Sequence, residues 1–210
     1  MKDIIVSTKD DFIFKNKLYD EVAIKRVVKK EMDLFIFEEN ILIKKFKNIK
    51  KPKEAIIEKI VREEFGDEND ILIHYEHDKK RKKLYLYSMG NGRKVKNIVN
   101  EAKVIRIKPI QFYIKALVES KIKKLRNYII IIELRGIIYS LYIEENFIVK
   151  SFMKNKNEFI LSHELNDLEN GSIVIMSKEV EGIIPEEIKY KLHIIYLEIG
   201  EIINEKIFKV

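Results

Sequence analysis

The sequence predicts an α/β protein built from two consecutive lobes. Segments with the two-residue period of strands alternate with segments of helical period along the whole 210-residue chain. The most apolar run, residues 128–134, opens the second half and has the length of a central buried strand. The net charge also changes there, from +12 over residues 1–126 to −5 over residues 127–210. Hydrophobic residues make up 46% of the chain and only three prolines occur, so a folded core is expected.

Residues 1–46 predict four short strands, which are residues 3–8, 11–16, 34–37 and 41–46. The first two flank the turn Lys9-Asp10. The last two are expected to form a β-hairpin around Glu38-Glu39-Asn40. Between these pairs, Leu18 to Lys30 fits a strand through Val22 and Ile24 but also fits a helix, so both assignments stay open.

A helix is predicted over residues 55–65, where apolar residues recur at helical spacing. Pro52 lies near its first turn and Gly66 just past its end, which are ordinary start and stop signals. Two alternating segments follow, residues 70–77 and 82–89, and predict a second hairpin around the charged turn DKKRK.

A second helix is predicted to begin at Asn91-Gly92 and to continue to Ala102. It leads into a predicted strand over residues 103–107. Pro109 then opens a third helix, whose apolar residues from Ile110 to Val118 share one face.

The second half predicts a run of three strands followed by shorter elements. The buried run 128–134 leads through Arg135-Gly136 into residues 137–143 and then 147–152. No internal sequence repeat stands out. The later predicted elements are a short helix over residues 159–165, a turn at Asn170-Gly171, a strand over residues 172–176, a helical turn at Pro185, a strand over residues 193–197 and a helix in the last ten residues.

The composition excludes several chemistries. The absence of cysteine excludes disulfides, thiolate catalysis and Cys-ligated zinc or iron–sulfur clusters. Neither glycine-rich phosphate loop, GxxxxGK[ST] or GxGxxG, occurs. His74 and His77 lie three apart on a predicted strand and point to opposite faces, so they cannot share a metal. No metal is therefore expected. No apolar run has the length of a signal peptide or membrane span, so we expect a cytoplasmic protein.

The basic first half suggests nucleic acid as one partner class. Lysine clusters occur at residues 44–53 and 79–83. Beside such clusters, exposed aromatic side chains can stack on nucleic-acid bases. The candidates for this role are Tyr85, Tyr87, Phe112, Tyr113, Tyr139 and Tyr142. However, the chain has only seven arginines against 34 lysines, and alternating strand aromatics ordinarily pack in the core. Nucleic-acid binding is therefore kept as an alternative function.

The order of four segments resembles a known family. They are KKFKNIKKPKEAIIEKIVREEF, the hairpin DILIHYEH with KKLYLYSM, KVIRIKPIQFYIKAL, and NYIIIIELRGIIYSLYIEENFIVKSF. In this order, over residues 3–152, they resemble the actin-like PilM and GspL proteins, which assemble type IV pili and type II secretion machines. The resemblance implies a two-lobed actin-like (ribonuclease H-like) fold with mixed sheets. The first lobe is then residues 1–126, with an αβ subdomain inserted at residues 41–102, and residues 127–210 form a reduced second lobe.

The resemblance also bears on nucleotide binding. An ATP-binding member of the family carries Asp-x-Gly followed by Ser or Thr at its phosphate hairpin. Here Glu133, Arg135 and Gly136 stand at that turn, with the glycine displaced and the hydroxyl residues absent. Residues 4–14 also lack the glycine that lets backbone amides approach a phosphate. The resemblance therefore implies a degenerate nucleotide site, no cofactor and no enzymatic activity. A carboxylate–metal enzyme of ribonuclease H-like fold is a second alternative, but Glu133 alone on the central strand provides too few ligands.

The function implied by the family is that of a cytoplasmic scaffold. It grips the short tail of an inner-membrane assembly protein and so lies peripheral to the inner membrane through that partner. We expect the tail between residues 44–53 and the hairpin 70–88, where an exposed strand edge would accept an extended peptide. The candidate contacts are Phe46, Lys50, Lys51, Tyr75 and Tyr85. Nucleic acid is not the expected partner, and a homodimer is left open.

Overall fold

The computed structural model describes residues 3–28, 31–66, 70–100, 104–159 and 170–208. Its first sheet contains β1 (Asp3–Ser7), β2 (Phe12–Phe14), β3 (Lys17–Tyr19), β4 (Glu31–Ile36) and β8 (Val104–Pro109). The strand order is β3-β2-β1-β4-β8. β1 pairs in parallel with β4, which pairs in parallel with β8, whereas the β1–β2 and β2–β3 pairs are antiparallel. This mixed sheet agrees with the predicted α/β class.

The segment from Leu18 to Lys30 contains both a strand and a helix. β3 ends at Tyr19, and helix α1 (Glu21–Lys25) begins directly afterwards. Asp20 caps this helix, because its carboxylate accepts hydrogen bonds from the backbone N–H groups of Val22 and Ala23. Val22 and Ile24, on which the strand alternative rested, therefore lie in the helix, and the strand includes only Leu18 and Tyr19 of this segment. Residues 29 and 30 lie outside the described residues.

The second sheet repeats the topology of the first. It contains β9 (Tyr128–Leu134), β10 (Ile137–Glu144), β11 (Phe147–Asn155), β12 (Ile173–Met176) and β13 (His193–Tyr196). Its order is β11-β10-β9-β12-β13, with antiparallel pairs among β9, β10 and β11 and parallel pairs from β9 through β12 to β13. β9 is central and almost entirely buried, as its apolar run predicts. The two sheets thus share one strand order although no sequence repeat is visible.

A third sheet lies between β4 and β8 in the chain. It contains β5 (Leu42–Phe46), β6 (Leu72–Asp78) and β7 (Lys83–Met89) in the order β5-β7-β6, together with helix α2 (Glu54–Phe65). The predicted hairpin of β6 and β7 is confirmed. The predicted hairpin of residues 34–37 with 41–46 is wrong, because β4 pairs with β1 and β8 while β5 pairs with β7. Glu38, at a φ of 61°, lies where the chain leaves the first sheet for the third.

The third sheet is covered on both faces. Leu84 and Leu86 pack beneath Ile57 of α2 and form a small separate core. Tyr85 and Tyr87 point the opposite way and join the main core. The sheet is therefore fixed to the rest of the molecule by the alternate residues of β7.

The described helices are longest in the first half. They include α3 (Gly92–Val99) and α4 (Ile110–Lys121), followed in the second half by α5 (Lys156–Phe159), α6 (Lys178–Glu181), α7 (Glu186–Lys189), α8 (Ile199–Ile203) and a π-helical turn (Asn204–Phe208). The predicted extension of α3 through residues 101 and 102 lies outside the described residues, as do residues 160–165 of the predicted helix at 159–165. In the described part of the second half, the sheet has five strands and each α-helix is short.

One hydrophobic core joins the first two sheets. It includes Ile5 and Leu34 of the first sheet, Ile130 and Ile132 of β9, and Phe208 of the π-helical turn. The core contains residues from both sides of position 126, so it does not mark a boundary there. The lobe boundary between residues 126 and 127 therefore stays a prediction from sequence.

Candidate functional site

The β9–β10 turn occupies the position of the predicted phosphate hairpin. Arg135 and Gly136 are its two central residues and have positive φ angles of 54° and 82°. Two positive φ values are typical of a two-residue type I′ hairpin turn, where glycine adopts the second position without strain. The glycine therefore serves the geometry of the turn.

Glu133, the candidate acidic residue, is already paired. Its carboxylate lies 2.7 Å from Nζ of Lys156, and its backbone N–H donates to Oγ of Ser177 at 3.3 Å. Both partners come from segments beyond the hairpin, so neither could be identified from the local sequence. The ion pair neutralises the charge that a metal ligand would have to offer at this position.

Aromatic side chains fill the space beside this turn. The guanidinium of Arg135 lies over the ring of Phe208, 4.8 Å from its centroid. The Phe208 ring packs edge-on against Phe37, which follows β4, and Phe37 in turn contacts Tyr139 of β10. The hydroxyl of Tyr139 accepts a 3.1 Å hydrogen bond from the backbone N–H of Glu38. These contacts join the ends of the first and second sheets directly.

The β1–β2 turn holds a cation of the protein itself. Nζ of Lys94, on α3, donates to the carbonyl oxygens of Thr8, Lys9 and Asp11 at 2.9, 3.3 and 3.2 Å. It also lies 4.5 Å from the ring centroid of Phe12. Burial lowers the pKa of Lys94, while nearby carboxylates, including that of Asp11, act in the opposite direction. A phosphate site needs converging N–H donors, whereas this turn presents carbonyl oxygens to Lys94.

Glu39 links the first sheet to α3 and α4. Its carboxylate accepts a hydrogen bond from the side-chain amide of Asn91, and its carbonyl oxygen accepts one of 2.6 Å from Nε2 of Gln111. Burial raises the pKa of the Glu39 carboxyl above its ordinary value. The contacts of Glu39, Lys94 and Phe208 join distant segments, so local sequence patterns do not predict them.

The five predicted partner contacts do not form one groove. Phe46 and Tyr75 belong to the face of the third sheet that α2 covers, and Phe46 packs in its small core. Tyr85 lies on the opposite face, is only 2% exposed and stacks on Phe147 at 4.6 Å. Its side chain is therefore not available to a partner in this structure, because it fixes the third sheet to β11. Lys50 and Lys51 are exposed, and Tyr75 is 44% exposed.

An apolar groove runs instead beside β8. It has a volume of about 260 Å³ and is lined by His74, Ile107, Lys108, Pro109, Phe112, Tyr113 and Ala116. We call it the β8 groove. Phe112 contacts His74 edge-on at 4.8 Å, so α4 and β6 form one wall together. β8 is the last strand of the first sheet, which leaves one of its edges without a strand partner among the described residues.

Cations border this groove on the side of β4. Nζ of Lys108 and Nε of Arg106 each lie 2.6 Å from the carboxylate of Asp33. Burial alone would raise the pKa of Asp33, but the hydrogen bonds and charges of Lys108 and Arg106 outweigh it and hold the pKa below its ordinary value. Two cations share one carboxylate, so the border keeps a net positive charge.

Over the described ranges, no three histidine, aspartate or glutamate side chains cluster closely enough to hold a metal ion. Among the helices formed by the same residues, none has both the length and the apolar character of a membrane span.

Comparison with known proteins places the fold. No protein-family model and no curated protein matches the sequence. A Bacteroides thetaiotaomicron protein of unknown function with an actin-like ATPase fold matches at a TM-score of 0.60 and 9% identity, covering 98% of this chain and 93% of that one. A chain of the PilM–PilN type IV pilus biogenesis complex matches at a TM-score of 0.55 and 6% identity, covering 90% and 78%.

A third solved structure belongs to the secretion systems. The cytoplasmic domain of EpsL, an inner-membrane component of the type II secretion system of Vibrio cholerae, matches at a TM-score of 0.48 and 6% identity, covering 83% and 80%. The fold assignment rests on the first two structures. The chain has an actin-like fold, and the predicted resemblance is confirmed as a likeness in fold to an actin-like protein and to a chain of the PilM–PilN complex.

Proposed function

We propose that this protein is a non-catalytic scaffold of a type IV pilus or type II secretion-like assembly. It binds the cytoplasmic tail of an inner-membrane assembly protein and is held at the membrane through that partner. The observation that carries the proposal is the β8 groove, which lies beside a strand edge that has no strand partner among the described residues. The likeness in fold to a chain of the PilM–PilN complex supports this class of partner.

The groove has the features of an extended-peptide site. The free edge of β8 offers backbone groups that pair with an added strand, and Val104 and Ile107 expose apolar side chains on that strand. Phe112 and Tyr113 are half-buried, so they offer apolar surface to alternate side chains of a peptide. The positive border at Arg106 and Lys108 favours a tail that carries a carboxylate near its apolar residues.

A degenerate nucleotide site is the second part of the proposal. Arg135 and Phe208 occupy the space beside the β9–β10 turn. At the β1–β2 turn, Nζ of Lys94 donates hydrogen bonds to the backbone carbonyl oxygens. Glu133 is engaged by Lys156. A triphosphate would have to displace these contacts without gaining the N–H donors on which phosphate sites depend. We therefore expect that neither binding nor hydrolysis of ATP is part of the function.

The two alternative functions receive less support. Tyr85, Tyr87 and Tyr139 are buried, which removes them as stacking platforms for nucleic-acid bases. The carboxylate–metal enzyme lacks ligands near Glu133 within the described residues. A homodimer remains compatible with the proposal and is not required by it.

The docking proposal is tested with peptides. The cytoplasmic tails of single-span membrane proteins from the same genome would be synthesised, labelled and titrated by fluorescence anisotropy. We expect one tail to bind, and Ile107→Glu to weaken its binding about tenfold, equivalent to about 1.4 kcal/mol. The matched control is Leu18→Glu, because Leu18 is also an exposed aliphatic residue on an edge strand of the first sheet, at its opposite side.

The outcomes separate the two parts of the proposal. Equal loss of binding in both variants, or no tail that binds, would contradict docking in the β8 groove. Isothermal titration with Mg-ATP, run beside an active actin-like ATPase, tests the nucleotide site independently. Measurable heat from this protein would overturn the degenerate site and leave the peptide result unaffected.

A further inference from the structure

The two lysine clusters of the sequence meet in space. The backbone N–H of Ile49 donates to the carbonyl oxygen of Lys82 at 2.9 Å, and Nε2 of His77 is hydrogen-bonded to the carbonyl oxygen of Ile49 at 2.8 Å. These bonds hold residues 47–53 against the β6–β7 turn at residues 79–82. We call these two segments together the lysine tip, because they form one end of the third sheet.

The charge of the lysine tip is not neutralised. Its seven lysines are all exposed, and none forms an ion pair with a carboxylate in the described part of the chain. Arg81 of the tip is paired with Asp78 at 3.4 Å and with Glu145 at 2.6 Å. Exposed like charges repel each other, so this concentration of cations favours an anionic surface as partner.

We infer that the lysine tip binds the anionic headgroups of a phospholipid membrane. The inference goes beyond the proposed function and does not rest on it, since the tip lies at the opposite end of β6 from His74 of the β8 groove. Lysines on a turn and an irregular segment act as mobile point charges, which suits a fluid layer of phosphate groups.

Nucleic acid fits the same surface less well. The nearest aromatic residues face inward, because Tyr85 stacks on Phe147 and Phe46 packs in the core under α2. The tip has a single arginine, whereas bidentate phosphate and base contacts favour arginine. The tip is also a hairpin end rather than a groove that could follow a strand of nucleic acid.

The test is sedimentation of the full chain with vesicles. Vesicles of phosphatidylcholine alone would be compared with vesicles that also contain phosphatidylglycerol, at low and at high salt. We expect binding to the anionic vesicles only, and weaker binding at high salt, because added salt screens exposed charges. The test variant reverses four lysines of the tip and is Lys50→Glu, Lys51→Glu, Lys79→Glu and Lys80→Glu.

A second variant controls for net charge. It reverses four exposed lysines elsewhere and is Lys17→Glu, Lys96→Glu, Lys123→Glu and Lys191→Glu. Both variants carry the same net charge, and far-ultraviolet circular dichroism checks that both are folded. We expect the tip variant to lose binding about tenfold more than the control variant, because charges act within about a Debye length of the membrane surface.

Three results would overturn the inference. One is equal loss of vesicle binding in the two variants, which would mean that only overall charge matters. Another is binding to neutral and anionic vesicles alike. The third is the absence of vesicle binding together with salt-dependent binding of single-stranded or duplex nucleic acid that the tip variant loses. That result would assign the tip to nucleic acid.

Discussion

Nζ of Lys94 donates a 2.9 Å hydrogen bond to the carbonyl oxygen of Thr8, at the end of β1. The same ammonium group also reaches the carbonyl oxygens of Lys9 and Asp11, which lie 85 and 83 residues before it in the chain. α3 and the β1–β2 turn are therefore held together by one side chain. This turn belongs to the degenerate nucleotide site that we propose, and the bonds of Lys94 to its carbonyl oxygens support that part of the proposal.

Replacement of Lys94 should destabilise the protein. Lys94→Met keeps most of the aliphatic chain but removes the ammonium donor from three carbonyl oxygens, of which that of Asp11 keeps the N–H of Thr8 as a donor. We expect a cost of about 2 kcal/mol in unfolding free energy. Urea denaturation followed by circular dichroism measures this loss. Lys96→Met is the control, because Lys96 is an exposed residue of the same helix and should change stability by less than about 0.5 kcal/mol. Equal stability of the two variants would show that the Lys94 contacts contribute little.

Gly92 begins α3 in contact with the chain before β6. A Cβ atom at Gly92 would lie 2.8 Å from the backbone carbonyl carbon of Asp70 and 2.8 Å from the nitrogen of Ile71. Gly92→Ala should therefore reduce the unfolding free energy by about 2 kcal/mol, since backbone atoms must move to accept the methyl group.

Gly182→Ala is the matched comparison for Gly92→Ala. No heavy atom lies within 4 Å of a Cβ at Gly182, so this variant should unfold within about 0.5 kcal/mol of the parent. Both variants are measured by the same urea denaturation. A neutral Gly92→Ala would mean that the segment at Asp70 shifts without cost.

Local patterns predicted the hairpins of this fold well. β6–β7 and the β9–β10–β11 run join neighbours in sequence, so alternation and a turn signal are sufficient to identify them. Parallel pairing was not visible in the same way. β4 looks like half of a hairpin with β5, yet its partners β1 and β8 are distant in sequence, and periodicity carries no information about them.

The candidate site shows the same limit. Glu133, Arg135 and Gly136 were identified because they lie close together in the sequence at a hairpin that resembles the phosphate hairpin of the family. Their partners come from other segments: Lys156 pairs with Glu133, and Phe208 packs under Arg135. Similarly, Tyr85 looked available to a partner, but its burial depends on Phe147 of β11. The strands and turns that hold the site follow from local sequence patterns, whereas the side chains that fill it depend on tertiary contacts.

The carboxylate of Asp33 should make stability depend on pH. Its pKa lies below the ordinary value in the folded protein because Lys108 and Arg106 outweigh the opposing effect of burial. A lowered folded-state pKa gives stability that is fully present above the unfolded pKa of about 3.9 and is lost as pH falls through the folded pKa. Asp33→Asn should therefore be less stable than the parent at neutral pH, and the difference should shrink below about pH 4.

The Asp33 prediction is checked by urea denaturation at several pH values. Glu58→Gln serves as control, because it also neutralises one carboxylate and Glu58 is an exposed residue of α2. If the difference between the parent and Asp33→Asn stays constant from neutral to acidic pH, then Asp33 does not titrate with a lowered pKa.

Phe208 provides a test that separates packing from nucleotide exclusion. Its ring lies 5.3 Å from that of Phe37 and beneath the guanidinium of Arg135, and it is buried. Phe208→Ala should cost about 3 kcal/mol in unfolding free energy, whereas Phe208→Leu retains most of the volume and should cost less than about 1.5 kcal/mol. Mg-ATP titration of both variants should give no heat, because removal of the ring does not supply N–H donors at either turn. If Mg-ATP binding releases heat with Phe208→Ala but not with the parent protein, then the ring of Phe208 in the π-helical turn blocks an otherwise competent phosphate site.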